Sequence, residues 1–256
     1  MFRVFWRAVR DVFDDMFLLI LTNLVWSAIT WPLLGLALFA GLNGFPLPAT
    51  MFALLGVLPL GPAMAGLYTI AQRTTEGRTS KLTQFFEGMR QHAKFSWKVY
   101  GIWMVVLVAL VFNLGFYGGM NSTVGAFLQV LFLYLIGIWF ALLIYIGPLM
   151  LLQADKSILV LARNAMLMAF GRPVFTLVTF VMMLLITVLS LLPGVFLIPG
   201  LILFSLLAVW SFRATTKLIE DAEERRRLAE EQAVAAGNGP RYNNDKGRGG
   251  QIKPRE

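Results

Sequence analysis

The sequence contains no cysteine and only one histidine, His92, in 256 residues. Without cysteine there can be no disulfide, no thiolate metal site and no cysteine nucleophile. A lone histidine with no carboxylate beside it forms neither a metal site nor a catalytic triad. No phosphate-binding glycine loop of the Walker type is present. We therefore expect no catalytic residues, no metal or other cofactor, and no enzymatic activity.

Charge is also scarce, at 14% of the residues against 58% that are hydrophobic, where soluble proteins carry about 25% charged residues. Three connections, near Asn43, Asn121 and Gly194, contain no charged residue at all. The 22 basic and 14 acidic residues fall in the termini and in the other two connections. Because basic residues mark the cytoplasmic side of a membrane protein, we predict an inner-membrane protein with both termini in the cytoplasm. The net charge of +8 is then juxtamembrane and does not indicate nucleic-acid binding.

The long apolar stretches predict an all-α fold, a polytopic helical membrane protein with about six transmembrane helices and cytoplasmic interfacial amphipathic helices. About 20 apolar residues suffice for each crossing. The predicted order is an N-terminal interfacial helix at 1–15, spans at 16–42, 47–72, 98–116, 123–152, 173–192 and 195–212, a charged cytoplasmic helix at 213–236, and a disordered basic tail at 237–256.

The region 173–212 allows two interpretations. It forms either a hairpin of two spans or a single long or re-entrant segment, which would leave five crossings. Five crossings would place the basic residues that follow Phe212 on the outside, against the positive-inside rule. We therefore predict six crossings.

Amphipathic patterns precede the first span and fill the two charged connections. At the N-terminus we predict that one face lies in the membrane interface, with a soluble helix packed on a core as the alternative. Anionic lipids at the cytoplasmic face are the expected partner. The N-terminal apolar face is Phe2, Trp6, Val9, Phe13 and Phe17, opposite Arg3, Arg7, Arg10 and Asp14. The apolar stripes of the two connections are Leu82, Phe85, Phe86, Met89 and Ala93, and then Ile158, Leu161, Ala165 and Met168.

Span two contains Pro59 and Pro62, which leave backbone carbonyls unpaired unless a neighbouring helix or water satisfies them. The span is therefore either a discontinuous helix of the kind that lines transporter sites or a helix with a packing kink. Gly61-Pro62 has an echo in Gly147-Pro148 of span four, which suggests a duplicated hairpin unit. In span one, Pro32 predicts a kink.

Asn23 and Trp26 form the most suggestive polar pair of span one, since an amide in hydrocarbon needs a partner on another helix. Helix–helix packing is the simplest explanation of this pair. Beyond the last span, residues 213–236 carry charges at the four-residue spacing of ion pairs. This helix is either a solvated extension of span six or a short oligomerising helix.

Several short motifs in a fixed order resemble the YesL-like family of uncharacterised bacterial membrane proteins over about residues 1–215. They are Asn23 and Trp26 leading to Pro32; Gly61, Pro62 and Ala63 followed by Leu67 and Tyr68; Phe85 and Phe86 through Arg90, Lys94, Phe95 and Ser96; and Leu161 to Ala169 with Arg163, Asn164 and Ala165. The charged helix and tail after about Lys217 are outside the resemblance.

This resemblance implies an accessory component, because members of the family are often encoded beside ATP-driven carbohydrate uptake systems. No catalytic residues are established for the family, so none is carried over. We expect a protein that acts by binding, on a sugar permease or its regulator. The alternative is a facilitator for small neutral solutes that uses the proline-broken second span.

Overall fold

The computed structural model describes residues 2–190 and 197–235. The predicted connection near Gly194, the span ends at Leu192 and Val195, and the tail at 237–256 lie outside the described residues. The helices within the described ranges are α1 (Phe2–Asp14), α2 (Met16–Leu42), α3 (Pro46–Thr75), α4 (Leu82–Gly118), α5 (Thr123–Leu152), α6 (Ile158–Gly171), α7 (Pro173–Ser190) and α8 (Leu197–Ala235).

Six helices in the described ranges are long and apolar enough to cross a membrane. They are α2, α3, α4, α5, α7 and the part of α8 from Ile202 to Val234. The predicted class, a polytopic helical membrane protein, is confirmed. The chain divides into two compact units at Thr216. The first unit contains the apolar helices and the second contains the charged end of α8.

The predicted division between an interfacial helix and span three is absent, because residues 82–118 form the single helix α4. No proline interrupts this stretch, and the Lys81 N–H donates to Gln84 Oε1 at 3.0 Å to cap its start. Phe85 is fully buried, and a Cβ on Gly88 would overlap the Thr69 side chain of α3. The charged-end part of α4 therefore packs closely on α3, while Phe86 stays 48% exposed.

The two prolines of α3 do not break it, because the helix is continuous from Pro46 to Thr75. Pro62 has no N–H, so the carbonyl of Leu58, one turn earlier, lacks its usual donor. The indole Nε1 of Trp97 on α4 donates to this carbonyl at 2.8 Å. Gly61 makes room for the donor, since a Cβ there would lie 3.1 Å from Trp97 Cδ1. A side chain of the neighbouring helix thus satisfies the freed carbonyl, and the discontinuous-helix interpretation is wrong.

The same arrangement occurs at Gly147-Pro148 in α5. Pro148 frees the carbonyl of Ile144, and the hydroxyl of Ser211 on α8 donates to it. Thr215, one turn further along α8, donates to the same oxygen at 3.4 Å. A Cβ on Gly147 would overlap the ring of Tyr68. Both Gly-Pro pairs therefore combine close helix approach with a proline-freed carbonyl satisfied from another helix.

Replacing Trp97 with phenylalanine should lower the free energy of unfolding by about 1–2 kcal/mol, because the Leu58 carbonyl then lacks its donor. Trp31→Phe is the matched control, since Trp31 is exposed to nearly the same extent, at 42% against 43% for Trp97. Unfolding by SDS titration in mixed micelles would measure both variants. Equal stabilities would show that the Trp97 hydrogen bond contributes nothing.

The face of α1 that packs against the rest of the protein is not the face with its large apolar residues. Val4, Ala8 and Val12 are at most 9% exposed. The predicted apolar face contains Trp6 and Phe13, which are 64% and 68% exposed. The packed face was not predicted because the aromatic and basic residues dominate the sequence pattern, whereas the residues in close contact with the bundle are small.

The second unit, from Lys217 onward, is helical as far as Ala235. Of the predicted ion pairs, Arg226–Glu230 is present at 3.1 Å. Lys217 and Asp221 add a pair at 2.7 Å. Residues 222–232 are exposed. This stretch is continuous with the rest of α8, and both its role as a solvated extension and the oligomerising alternative stay predictions.

Candidate functional site

A polar cleft of about 450 Å³ lies at the charged end of the first unit. It is formed by α1 and the residue that follows it, Asp15, by the end of α3 with the connection after it, and by α8. The lining residues are Asp11, Asp14, Asp15, Thr74, Thr75, Glu76, Gly77, Arg78, Thr79 and Arg213.

Two interactions hold the walls of the cleft together. Arg213 of α8 binds Asp11 of α1 through two hydrogen bonds, from Nε to Oδ2 at 2.7 Å and from Nη2 to Oδ1 at 3.0 Å. Asp15, between α1 and α2, accepts a hydrogen bond from the Thr74 hydroxyl at 3.0 Å. The Arg213 and Asp11 side chains are only 28% and 16% exposed, and the two-point geometry is the stronger form of a charge-assisted hydrogen bond.

The cleft is acidic although the chain as a whole is basic. Its lining has four carboxylates and two guanidinium groups, a formal charge of −2. Glu76 pairs with Arg78 at 3.0 Å across the connection after α3. Within the described ranges, no group of three or more His, Asp or Glu side chains could hold a metal ion. The arrangement suits cationic or hydrogen-bonding groups rather than an anion.

The cleft was not predicted from the sequence. The signals available were the close spacing of Asp11, Asp14 and Asp15, and the position of Arg213 as the first charge after the last span. The spacing of the acidic residues gave no hint of a partner 202 residues away.

Asn23 and Trp26 lie on the face of α2 that packs against α8. The backbone N–H of Phe204 donates to Asn23 Oδ1 at 3.0 Å, and the Trp26 ring lies 4.2 Å from the Phe204 ring. The Ser205 hydroxyl donates to the Leu19 carbonyl at 2.8 Å. The expected partner of the amide on another helix is therefore present. This pair is part of the α2–α8 packing and does not line the cleft.

Tyr68, Gly61 and Pro62 lie in the buried part of α3. Tyr68 contacts Gly147 of α5, next to Pro148, which frees the Ile144 carbonyl to which Ser211 of α8 donates. This places Tyr68 where α3, α5 and α8 meet. These three residues of α3, which belong to the motifs of the family resemblance, are thus packing positions at the centre of the bundle.

The remaining candidates are peripheral. Arg90 and Lys94 on α4, Arg163 on α6 and Pro32 on α2 are exposed, while Asn164 and Pro59 are half-buried. The predicted inner face of α6 is confirmed at Leu161 and Ala165, which are 2% and 1% exposed. These candidates are spread over α2, α3, α4 and α6, and none of them lines the cleft.

Lys156 has a defined role at the end of α5. Its Nζ donates to the carbonyls of Met150, Leu151 and Gln153 at 2.9, 3.3 and 2.6 Å. The ammonium lies 6.0 Å from the centre of the Phe95 ring of α4, and burial lowers the pKa of Lys156. A cation at a helix C-terminus satisfies the last carbonyls and opposes the helix dipole, so Lys156 closes α5 and ties it to α4.

The described residues thus form a polar cleft that contains Asp11 and Arg213, and a set of buried packing contacts. Comparison with known proteins found no matching protein-family profile, no matching curated protein and no matching solved structure.

Proposed function

We propose that this chain is an accessory protein of the bacterial inner membrane that acts by binding another membrane protein. The YesL-like resemblance suggests a permease of a carbohydrate uptake system, or its regulator, as the partner. The positive-inside rule places the charged end, with the polar cleft and both termini, in the cytoplasm.

The observation that carries this proposal is the exposed membrane-facing surface of α5. Only 11% of its most apolar stretch is buried, against 50% for α3. α5 is joined to α4 by the indole of Trp139, which donates to the Trp103 carbonyl at 3.1 Å. The hairpin of α4 and α5 therefore offers a long lateral face to neighbouring spans.

Tyr134 distinguishes this face from an ordinary lipid-facing surface. It lies 11 residues into the 30-residue helix α5 and is 69% exposed. At 1.5 Å per residue this is about 16 Å from the start of the helix, close to the middle of a hydrocarbon core of about 30 Å. A phenolic hydroxyl in hydrocarbon gains from a hydrogen-bond partner on another helix. A transmembrane helix of the partner would supply one.

Photo-crosslinking tests the lateral contact. With benzoylphenylalanine at position 134, we expect a covalent adduct with a second polypeptide in cell membranes, identified by mass spectrometry. The control carries the same group at Leu185 of α7, which is 56% exposed and should give little adduct. Equal yields at both positions, or no protein adduct at 134, would contradict the proposal. An adduct with only a second copy of the chain would replace the permease with self-association.

The facilitator hypothesis is a different function and needs a separate test. Its premise was a break in α3, and α3 is continuous. Uptake of neutral solutes into liposomes that contain only the purified protein would support it, because an accessory protein transports nothing without its permease.

A further inference from the structure

α1 presents three adjoining faces along its length. The packed face is Val4, Ala8 and Val12, which repeat every four residues and are at most 9% exposed. An exposed aromatic face contains Trp6 and Phe13 and continues at Phe17, the second residue of α2. An exposed basic face of Arg3, Arg7 and Arg10 lies between the other two. This spacing follows the 3.6-residue turn, so the arginines border the aromatic face.

Two side-chain interactions fix the position of α1 along the axes of the apolar spans. Arg213, which binds Asp11, is the first charged residue after the apolar part of α8. Thr74, which binds Asp15, is the second-last residue of α3. The rings of Phe5 and Trp210 add a contact with centres 4.9 Å apart. α1 is thus held where two spans end, which is the level of the lipid headgroups.

Of the two acidic residues of α1, Asp11 and Asp14, only Asp11 is directed away from the arginines. Asp11 is directed to Arg213 and Asp15 to Thr74. Asp14 is the one acidic residue of α1 that is exposed with Arg3, Arg7 and Arg10. The exposed surface therefore combines excess positive charge with large aromatic side chains. Interfacial helices use this combination on anionic membranes.

We propose that the aromatic and basic faces of α1 bind anionic phospholipid. The arginines contact headgroup phosphates, while Trp6, Phe13 and Phe17 enter the boundary between headgroups and acyl chains. The packed face and the Asp11–Arg213 pair keep this surface facing the lipid. This binding is independent of the proposed permease partner.

Quenching by brominated lipids tests the proposal in the full-length protein. The chain has no cysteine, so Phe13→Cys supplies a single labelling position for a fluorophore. In nanodiscs, we expect brominated phosphatidylglycerol to quench the label more strongly than brominated phosphatidylcholine. A label at Phe39→Cys is the control, because Phe39 is 66% exposed against 68% for Phe13 but has no arginine nearby in sequence. It should show no preference.

Charge variants identify the cause of the preference. Replacing Arg3, Arg7 and Arg10 with glutamine should abolish it, with about a fivefold loss in relative lipid affinity for each arginine. The corresponding lysine variant keeps the charge and should retain most of the preference. Raised salt should weaken it in the unmodified chain, which provides a test even if the glutamine variant does not fold. Equal quenching by both lipids at position 13, or quenching by neither, would overturn the proposal.

Discussion

Replacing Gly147 with alanine should destabilise the bundle by about 3 kcal/mol, at the upper end of the usual range for overpacking. A Cβ at this position would overlap Cε2 and Cζ of Tyr68 and lie 2.6 Å from Cδ2. Tyr68 is itself only 6% exposed, so its ring has little freedom to move. Either α5 must shift away from α3, or Tyr68 must leave its place between three helices.

Gly137→Ala is the matched control for this substitution. Gly137 lies on the same helix, and a Cβ there would meet nothing within 4 Å among the described residues. SDS unfolding titrations should therefore show a change near zero for Gly137→Ala. Adding Tyr68→Leu to Gly147→Ala should recover part of the loss, since it removes the overlapping ring atoms. If Gly147→Ala were as stable as Gly137→Ala, the close approach of α3 and α5 would be wrong.

Replacing Arg213 with glutamine should lower the free energy of unfolding by about 2 kcal/mol. This lies between the values for exposed and for buried ion pairs. The substitution removes both hydrogen bonds to Asp11 and leaves four carboxylates facing one guanidinium group in the cleft. Asp11→Asn should cost less, because it removes a negative charge from a site that has an excess of them.

The double variant separates the loss of the Asp11–Arg213 pair from the repulsion among the carboxylates of the cleft. Arg213→Gln combined with Asp11→Asn should be more stable than Arg213→Gln alone, which a thermal unfolding series in detergent would show. Raised ionic strength should also stabilise Arg213→Gln, because salt screens the repulsion among the remaining carboxylates. If the double variant lost the sum of the two single effects, the residues would contribute independently and the pair would have no coupling.

The fold class could be predicted from the sequence because it depends on local composition. Apolar stretches longer than about 20 residues predict spans without reference to tertiary contacts. The continuity of α4 through residues 82–97 was missed because an amphipathic pattern resembles an interfacial helix whether or not it continues into a span. The contacts of Phe85 and Gly88 with α3 show that the first turns of α4 are packed rather than free.

The candidate cleft could not be predicted because it depends on contacts between distant parts of the chain. Asp11 and Arg213 are 202 positions apart, and nothing in their local sequences identifies either as the partner of the other. The need for a partner was predictable in two places. An amide at Asn23 and a carbonyl freed by Pro62 both had to be satisfied in hydrocarbon. The sequence did not reveal which residues would do so, namely Phe204 and Trp97.

The two Gly-Pro pairs also set an order for assembly in the bilayer. The Leu58 carbonyl finds its donor on α4, the next helix to be synthesised. The Ile144 carbonyl must wait for Ser211 and Thr215 on α8, the last of the described helices. Until α8 arrives, α5 carries an unsatisfied polar group that hydrocarbon disfavours. Biogenesis of the bundle is therefore complete only when the C-terminal span has inserted, and a chain truncated before Ser211 would leave α5 incompletely satisfied.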